Sequence, residues 1–170
     1  MDRQEQKFSL TIHEITKFIR NQSAYQENPP RIINSIYFDD EMFSSYFDSE
    51  EGITPRKKYR YRWYGNNKES NGAIEIKTTE SNVRNKEVHN QINRFNKNLI
   101  VNFFLNKYGV KVNPKCKVSY LRNYYKSVSG DRFTFDTNLT YQSIENESFT
   151  FIDNATIFEV KFTHADIYKY

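Results

Sequence analysis

Arg56-Lys57-Lys58-Tyr59-Arg60-Tyr61-Arg62-Trp63-Tyr64 is the stretch on which the fold reading turns. Side chains alternate between the two faces of a strand. Arg56, Lys58, Arg60 and Arg62 therefore share one face, and Lys57, Tyr59, Tyr61 and Trp63 the other. Four cations at period two form a ladder with steps of about 6.6–6.8 Å. Taken alone, such a strand reads most simply as a solvated basic face opposite an aromatic core side. Like charges in line repel, so an anion lying along the ladder would stabilise it. Removing Arg60 or Arg62 is then expected to leave the unliganded fold unharmed.

Other strands repeat the theme. Glu5 and Lys7, Glu75 and Lys77, and Glu159 and Lys161 are each spaced two apart within alternating runs. Each pair alone is a surface ion pair worth less than about 1 kcal/mol. Near the start, middle and end of one chain, they read as parts of a single lining. Arg132, Thr134 and Asp136 alternate with Phe133 and Phe135, and Arg122 follows a run of less regular parity.

Working outward, strand patterns cover Arg3–Thr11, Arg31–Asp39, Arg56–Tyr64, Gly72–Thr79, Val83–Asn90, Lys115–Asn123, Asp131–Thr137 and Thr156–Phe162. Ile12, Ile15, Phe18 and Ile19 form a helical stripe that Pro29-Pro30 must end. Gln91–Tyr108 reads as a second helix, with Ile92, Phe95, Leu99, Phe103 and Leu105 on one side and Gly109 as its C-cap. The expected fold is α+β but mainly β. It is an eight-stranded antiparallel barrel with two helices packed outside and its charged faces inward, where they can hold a polyphosphate chain. Such a lining inverts the usual core and requires a bound anion or water.

Composition narrows the function classes. Of 170 residues, 16% are aromatic, which favours strands, and with 5 Gly and 4 Pro the chain is not low-complexity. The net charge of +4 permits an anionic partner without requiring one. The single cysteine, Cys116, excludes an internal disulfide and reads as a small core hydrophobe. Met1-Asp2-Arg3-Gln4 begins no apolar leader, and no apolar run is long enough to span a bilayer. These features point to a cytoplasmic protein with no membrane segment. There is no Gly-rich phosphate loop. His13, His89 and His164 lack metal-ligand spacing and read as surface residues. The aromatics among the cations lie mostly on the opposite face, which disfavours nucleic acid as a partner.

The ordered set Arg3-Gln4-Glu5-Gln6-Lys7-Phe8, Ser35-Ile36-Tyr37-Phe38-Asp39, Arg56–Tyr64, Ile74-Glu75-Ile76-Lys77, Ser119-Tyr120-Leu121-Arg122, Arg132-Phe133-Thr134-Phe135-Asp136 and Phe158-Glu159-Val160-Lys161 resembles the VTC domain. That family is the polyphosphate polymerase domain of the CYTH-like triphosphate tunnel metalloenzymes. The resemblance implies transfer of the ATP γ-phosphate to a growing polyphosphate, with Mn²⁺ or Mg²⁺ as cofactor. By position, it implies that Lys7, Arg60, Arg62, Lys77, Arg122 and Arg132 bind phosphate and act in catalysis. Arg56, Lys58 and Lys161 extend the phosphate-binding wall. Glu159 is the implied metal ligand, with Glu5 the weaker candidate.

Two departures from the family pattern bear on activity. Tunnel hydrolases begin with Glu-x-Glu-x-Lys, and Arg3 stands at the first of those positions, which favours polymerase over triphosphatase. VTC domains usually continue into a further helix and a Ser-Lys-Tyr segment. Residues 1–170 are expected to form a single tunnel domain without that segment, since Lys169-Tyr170 lacks the preceding helix. Two alternatives therefore stay open: hydrolysis of triphosphate or polyphosphate, and non-catalytic binding of polyphosphate or another polyanion.

Overall fold

The computed structural model describes residues 3–66, 71–81 and 83–163, with the side chains of residues 3–5 and 161–163 left undescribed. The order is β1 (Arg3–Leu10), α1 (Ile12–Asn21), β2 (Tyr25–Asp39), α2 (Ser44–Glu50), β3 (Arg56–Tyr64), β4 (Ala73–Glu80), β5 (Val83–His89), α3 (Lys97–Tyr108), β6 (Asn113–Lys126), β7 (Arg132–Ser143), β8 (Thr150–Asp153) and β9 (Thr156–Thr163). The nine strands form one sheet ordered β1-β9-β7-β6-β2-β3-β4-β5, with β8 pairing to β7 off that path. The β1–β9, β7–β9, β2–β3, β3–β4 and β4–β5 ladders are antiparallel.

The mainly-β antiparallel expectation holds. The expected counts were eight strands and two helices, and α2 and β8 are the additions. Closure of the strand path into a barrel is not detected among the described residues.

Contacts group the chain into two compact units. The first takes residues 1–32, 120–139 and 152–170, and the second residues 33–119 and 140–151. In the first, Phe133, Phe135, Phe158 and Val160 form the buried core, covered by Ile15, Phe18 and Ile19 of α1. The Phe18 ring lies 4.8 Å from Phe158 and 4.9 Å from Phe133, centroid to centroid. A capping box starts α1: Glu14 N–H donates to the Thr11 hydroxyl, and Thr11 N–H donates to the Glu14 carboxylate. Ile12, expected in the apolar stripe, is 77% exposed.

In the second unit, Ile36, Phe38, Tyr59, Tyr61, Trp63, Ile74 and Ile76 bury one sheet face beneath Ile100 and Phe104 of α3. The expected buried side of this helix is corrected. Leu99 and Leu105 are about half exposed, while Ile100 and Phe104, one turn apart, are fully buried. The start is also later than Gln91. Asn96 caps the helix by accepting from Leu99 N–H, and the Asn93 carbonyl is taken by Gly72 N–H and Tyr61 Oη. Gly109 closes α3 in the left-handed region at φ 66°. β2 begins at Tyr25 rather than Arg31, carrying Pro29 and Pro30 in its exposed portion.

Gly72 is a close-approach glycine. A Cβ there would lie 2.1 Å from Tyr61 Oη and 2.2 Å from its Cζ. Gly72→Ala must therefore push a fully buried ring off its hydrogen bond to Asn93. A loss of about 1–3 kcal/mol is expected, measured by urea unfolding. Tyr61→Phe should not rescue it, because the ring carbons clash as well.

Candidate functional site

The polar face opposite the aromatic core in the second unit is built by strand register. Arg60 stands across from Tyr37 on β2 and Glu75 on β4, and Arg62 stands across from Ser35. Arg60 Nε donates to Glu75 Oε2 at 2.8 Å, its Nη2 donates to the same oxygen, and its Nη1 donates to Tyr37 Oη at 3.2 Å. Arg60 and Glu75 are both buried. Lys86 Nζ reaches the other Glu75 oxygen at 2.5 Å. Arg62 Nε donates to Ser35 Oγ at 3.0 Å, and Arg56 Nη1 donates to the Ile53 carbonyl at 3.0 Å.

The expectation of an uncompensated ladder is therefore corrected. Arg60 is a buried ion-pair member before any ligand arrives, because the neighbouring strand supplies its counterion.

One row of this face has the same sign throughout. Lys58 pairs in register with Lys77, and Lys77 with Lys86, so three lysines stand abreast on β3, β4 and β5. Adjacent strands are about 4.8 Å apart, and like charges directly opposite one another are destabilising. All three lysines are exposed. Tyr37, which accepts from Arg60, registers the positive charge of β3. Burial pushes its phenol up, but Arg60, Arg62 and Lys58 outweigh that and hold it below the usual tyrosine value. Lys86 lay outside the residues read from sequence as site residues. The doubled signal of Lys58 and Lys77 needs the β4–β5 register before Lys86 joins it.

In the first unit, the two outer Glu-x-Lys pairs meet in antiparallel register, so Lys7 opposes Glu159 and Glu5 opposes Lys161. Thr134 opposes Glu159 on its other side, and Arg132 opposes Lys161. The Glu5 and Lys161 side chains, His164 and Lys169-Tyr170 lie outside the described residues.

Arg122 forks onto Asp136, with Nε to Oδ1 and Nη2 to Oδ2 both 2.6 Å, and its Nη2 lies 3.4 Å from Glu159 Oε2. Burial opposes the guanidinium charge, but the hydrogen bond and charge of Asp136, with Tyr120 and Glu159, raise the Arg122 pKa above its ordinary value. Lys7 Nζ, well exposed, stands 3.8 Å from the same Glu159 oxygen, whereas Glu159 is only 3% exposed. Thr134 Oγ1 is buried without a hydrogen-bond partner. Arg132 is mostly exposed and pairs with Glu27 at 3.1 Å. Asp136, on a polar strand face in the sequence, proves to be the anchor that aims Arg122.

No cluster of three or more metal-ligating side chains occurs among the described residues. The donor set fits a hard divalent ion that arrives with phosphate, which needs only one or two protein carboxylates. Both oxygens of Asp136 are engaged by Arg122, and Glu159 faces Arg122 and Lys7 through one oxygen, Oε2.

The two described histidines, His13 and His89, do not join either face. His13 is exposed. His89 is half-buried rather than superficial, with its Nε2 2.9 Å from Tyr108 Oη, which donates to Glu87 at 2.8 Å.

The VTC domain profile matches residues 2–168. No curated protein matches the sequence. Three solved structures share the fold. A Hippeastrum protein, studied as an adenylyl cyclase and described as having a dominant triphosphatase activity, superposes with a TM-score of 0.59 at 12% identity, covering 99% of this chain and 83% of its own. A Bacillus halodurans protein described as an adenylate cyclase gives 0.54 at 11% identity, covering 98% and 84%. A Pyrococcus horikoshii protein gives 0.53 at 14% identity, covering 99% and 83%. No helix among the described residues is long and apolar enough to cross a membrane. The chain belongs to the VTC domain family.

Proposed function

We propose that this chain is a polyphosphate polymerase-like phosphotransferase that moves the γ-phosphate of ATP onto a polyphosphate chain, within a tunnel of the family's kind. The observation that carries the polyanion assignment is the cross-strand row of Lys58, Lys77 and Lys86 beside Arg60. The row, which meets a carboxylate at Lys86, gathers exposed ammonium groups where a chain of phosphates can lie. In the reaction, a terminal phosphate oxygen of the acceptor forms a new P–O bond to the γ-phosphorus, the bond to the β-phosphate oxygen breaks, and ADP leaves. No protein nucleophile is required, so catalysis is positioning and charge neutralisation. In the second unit Arg60, Arg62 and Lys77 supply donors, with Arg56 and Lys58 extending that row; in the first, Lys7, Arg122 and Arg132 supply them, with Lys161 as a further candidate. The guanidiniums match phosphate oxygens as forks. Asp136 and Glu75 fix the directions of Arg122 and Arg60.

Glu159 would hold Mn²⁺ or Mg²⁺, with Glu5 as a second candidate. When bound, the metal neutralises charge on the transferring oxygens. Lys7, the solvent-facing partner of Glu159, is free to turn toward phosphate when a metal takes the carboxylate.

Hydrolysis is the second reading, favoured by the triphosphatase activity described for the Hippeastrum protein of this fold. The purified chain with ATP and Mn²⁺ should yield polyphosphate and ADP. Free phosphate without chain growth would replace the polymerase reading with hydrolysis, and neither product would leave a polyphosphate binder. Binding is tested separately. Tripolyphosphate at about a hundred times its Kd adds about 2.7 kcal/mol of stability. For a chain of this length that raises Tm by roughly 5–10 °C. No shift at low salt with millimolar ligand would overturn the polyanion assignment.

A further inference from the structure

We propose that α2 and its flanking turns form a docking surface for a basic amphipathic segment of another protein. Phe43, Tyr46 and Phe47 recur at helical spacing, on one face of this short helix. Yet no residue of α2 is buried, and these three are 42%, 55% and 52% exposed. Met42 at 77% and Ile53 at 45% extend the stripe at its two ends. An apolar stripe would normally turn inward, and here it faces solvent. Phe43 enters the helix in the left-handed region at φ 56°, a conformation bulky residues rarely adopt.

Charge selects the partner. Asp39, Asp40, Glu41, Asp48, Glu50 and Glu51 give residues 39–53 six carboxylates and no lysine or arginine, in a chain whose net charge is +4. Asp39 accepts from the Ser45 and Tyr46 amides, and Asp40 from the Met42 and Ser44 amides, so these two hold the helix start. Glu50 and Glu51 are exposed beside the aromatic stripe. The surface already holds one ammonium of its own. Lys115 Nζ sits 5.0 Å from the Phe43 ring centroid and 3.2 Å from both Glu41 and Glu145, with its side chain only 8% exposed. Aromatic ring plus carboxylate is thus a lysine-binding arrangement on this surface, and the rest of the stripe repeats both components. A segment carrying Lys or Arg around Leu, Ile or Phe complements it, apolar side to aromatic stripe and cations to carboxylates.

The test uses the full chain and two labelled helical peptides of about 18 residues, one built of Leu and Lys and its counterpart with Glu replacing Lys, read by fluorescence anisotropy. The basic peptide is expected to bind at least about tenfold more tightly than the acidic one. Tyr46→Ala/Phe47→Ala and, separately, Glu50→Lys/Glu51→Lys should each weaken it about tenfold or more, as loss of interface anchors does. Tripolyphosphate binding should stay unchanged in both, and Tm in the charge-reversal variant. The charge-reversal pair alters only exposed carboxylates, so it remains informative if the aromatic pair fails to fold. Equal binding of the two peptides, or basic-peptide binding indifferent to the charge reversal, would overturn the proposal. So would a wild-type dimer in sedimentation that Tyr46→Ala/Phe47→Ala dissolves, because the occupant would then be a second copy of this chain.

Discussion

Glu75→Leu is expected to destabilise the unliganded protein by about 3–5 kcal/mol, the cost of leaving a buried charge without its partner. Arg60 keeps 7% of its side chain exposed and spends two of its donors on Glu75, so it cannot recover the loss from water. Lys86 also loses a partner, but it is 45% exposed and can turn to solvent. Lys86→Met should therefore cost less than about 1 kcal/mol. The double variant Arg60→Met/Glu75→Leu should recover most of the stability, since an apolar pair replaces a buried ion pair at little net cost. Urea unfolding of these proteins together with the Arg60→Met single variant closes the cycle. If Glu75→Leu alone unfolds at the wild-type midpoint, Arg60 is not held as the structure has it.

The same pair sets a pH dependence. Burial pushes the Glu75 carboxyl up, but Arg60, Lys86 and Arg62 together hold it below its ordinary value of 4.5. A depressed folded pKa contributes stability that is fully present above the unfolded value and is lost as pH falls through the folded one. Stability should thus decline on acidification below about pH 4.5. Glu75→Gln should flatten that acid limb while lowering stability near neutrality.

Glu159→Gln is expected to lower metal-dependent turnover by about 10³-fold, roughly 4 kcal/mol of lost transition-state stabilisation. Tripolyphosphate binding without metal should persist or tighten, because one carboxylate has been removed from a cationic face. The fold should lose only about 1–2 kcal/mol. Arg122 keeps its two-pronged contact with Asp136, and Lys7 is 59% exposed and can hydrate. A purely structural role for Glu159 predicts the opposite pattern: a large drop in Tm with Mn²⁺ dependence unchanged in the turnover that remains. Equal turnover with wild-type Mn²⁺ dependence would remove Glu159 as a metal ligand.

Local pattern was enough to locate β3, to make the chain mainly β, and to assign the polar faces. Arg56–Tyr64 is a strand with the ends its alternation implies, and the outer Glu-x-Lys pairs do share a face. Alternation is a property of neighbouring residues, and burying Tyr59, Tyr61 and Trp63 under a helix leaves only one side for the cations. Gly109 was legible for the same reason, since a left-handed cap is a local requirement that glycine meets. The ordered motifs also carried the family, because their spacing along the chain is itself sequence information.

Partnership across strands was decided only by the tertiary structure. Arg60 meets Glu75, Lys58 and Lys77 line up with Lys86, and Arg122 closes on Asp136 because hydrogen-bonded ladders bring residues 9–19 positions apart into register. No local pattern encodes such a register. The helix faces followed the same logic. Ile100 and Phe104 won burial over Leu99 and Leu105 because they are the residues that pack onto the sheet core, Phe104 against the Phe38 and Tyr59 rings. The sequence by itself determined which residues could be cationic lining. Which cations sit against a carboxylate, as Arg60 and Lys86 do at Glu75, and which stand abreast of other lysines was settled by packing. That distinction depends on distances of a few ångströms between residues remote in the chain.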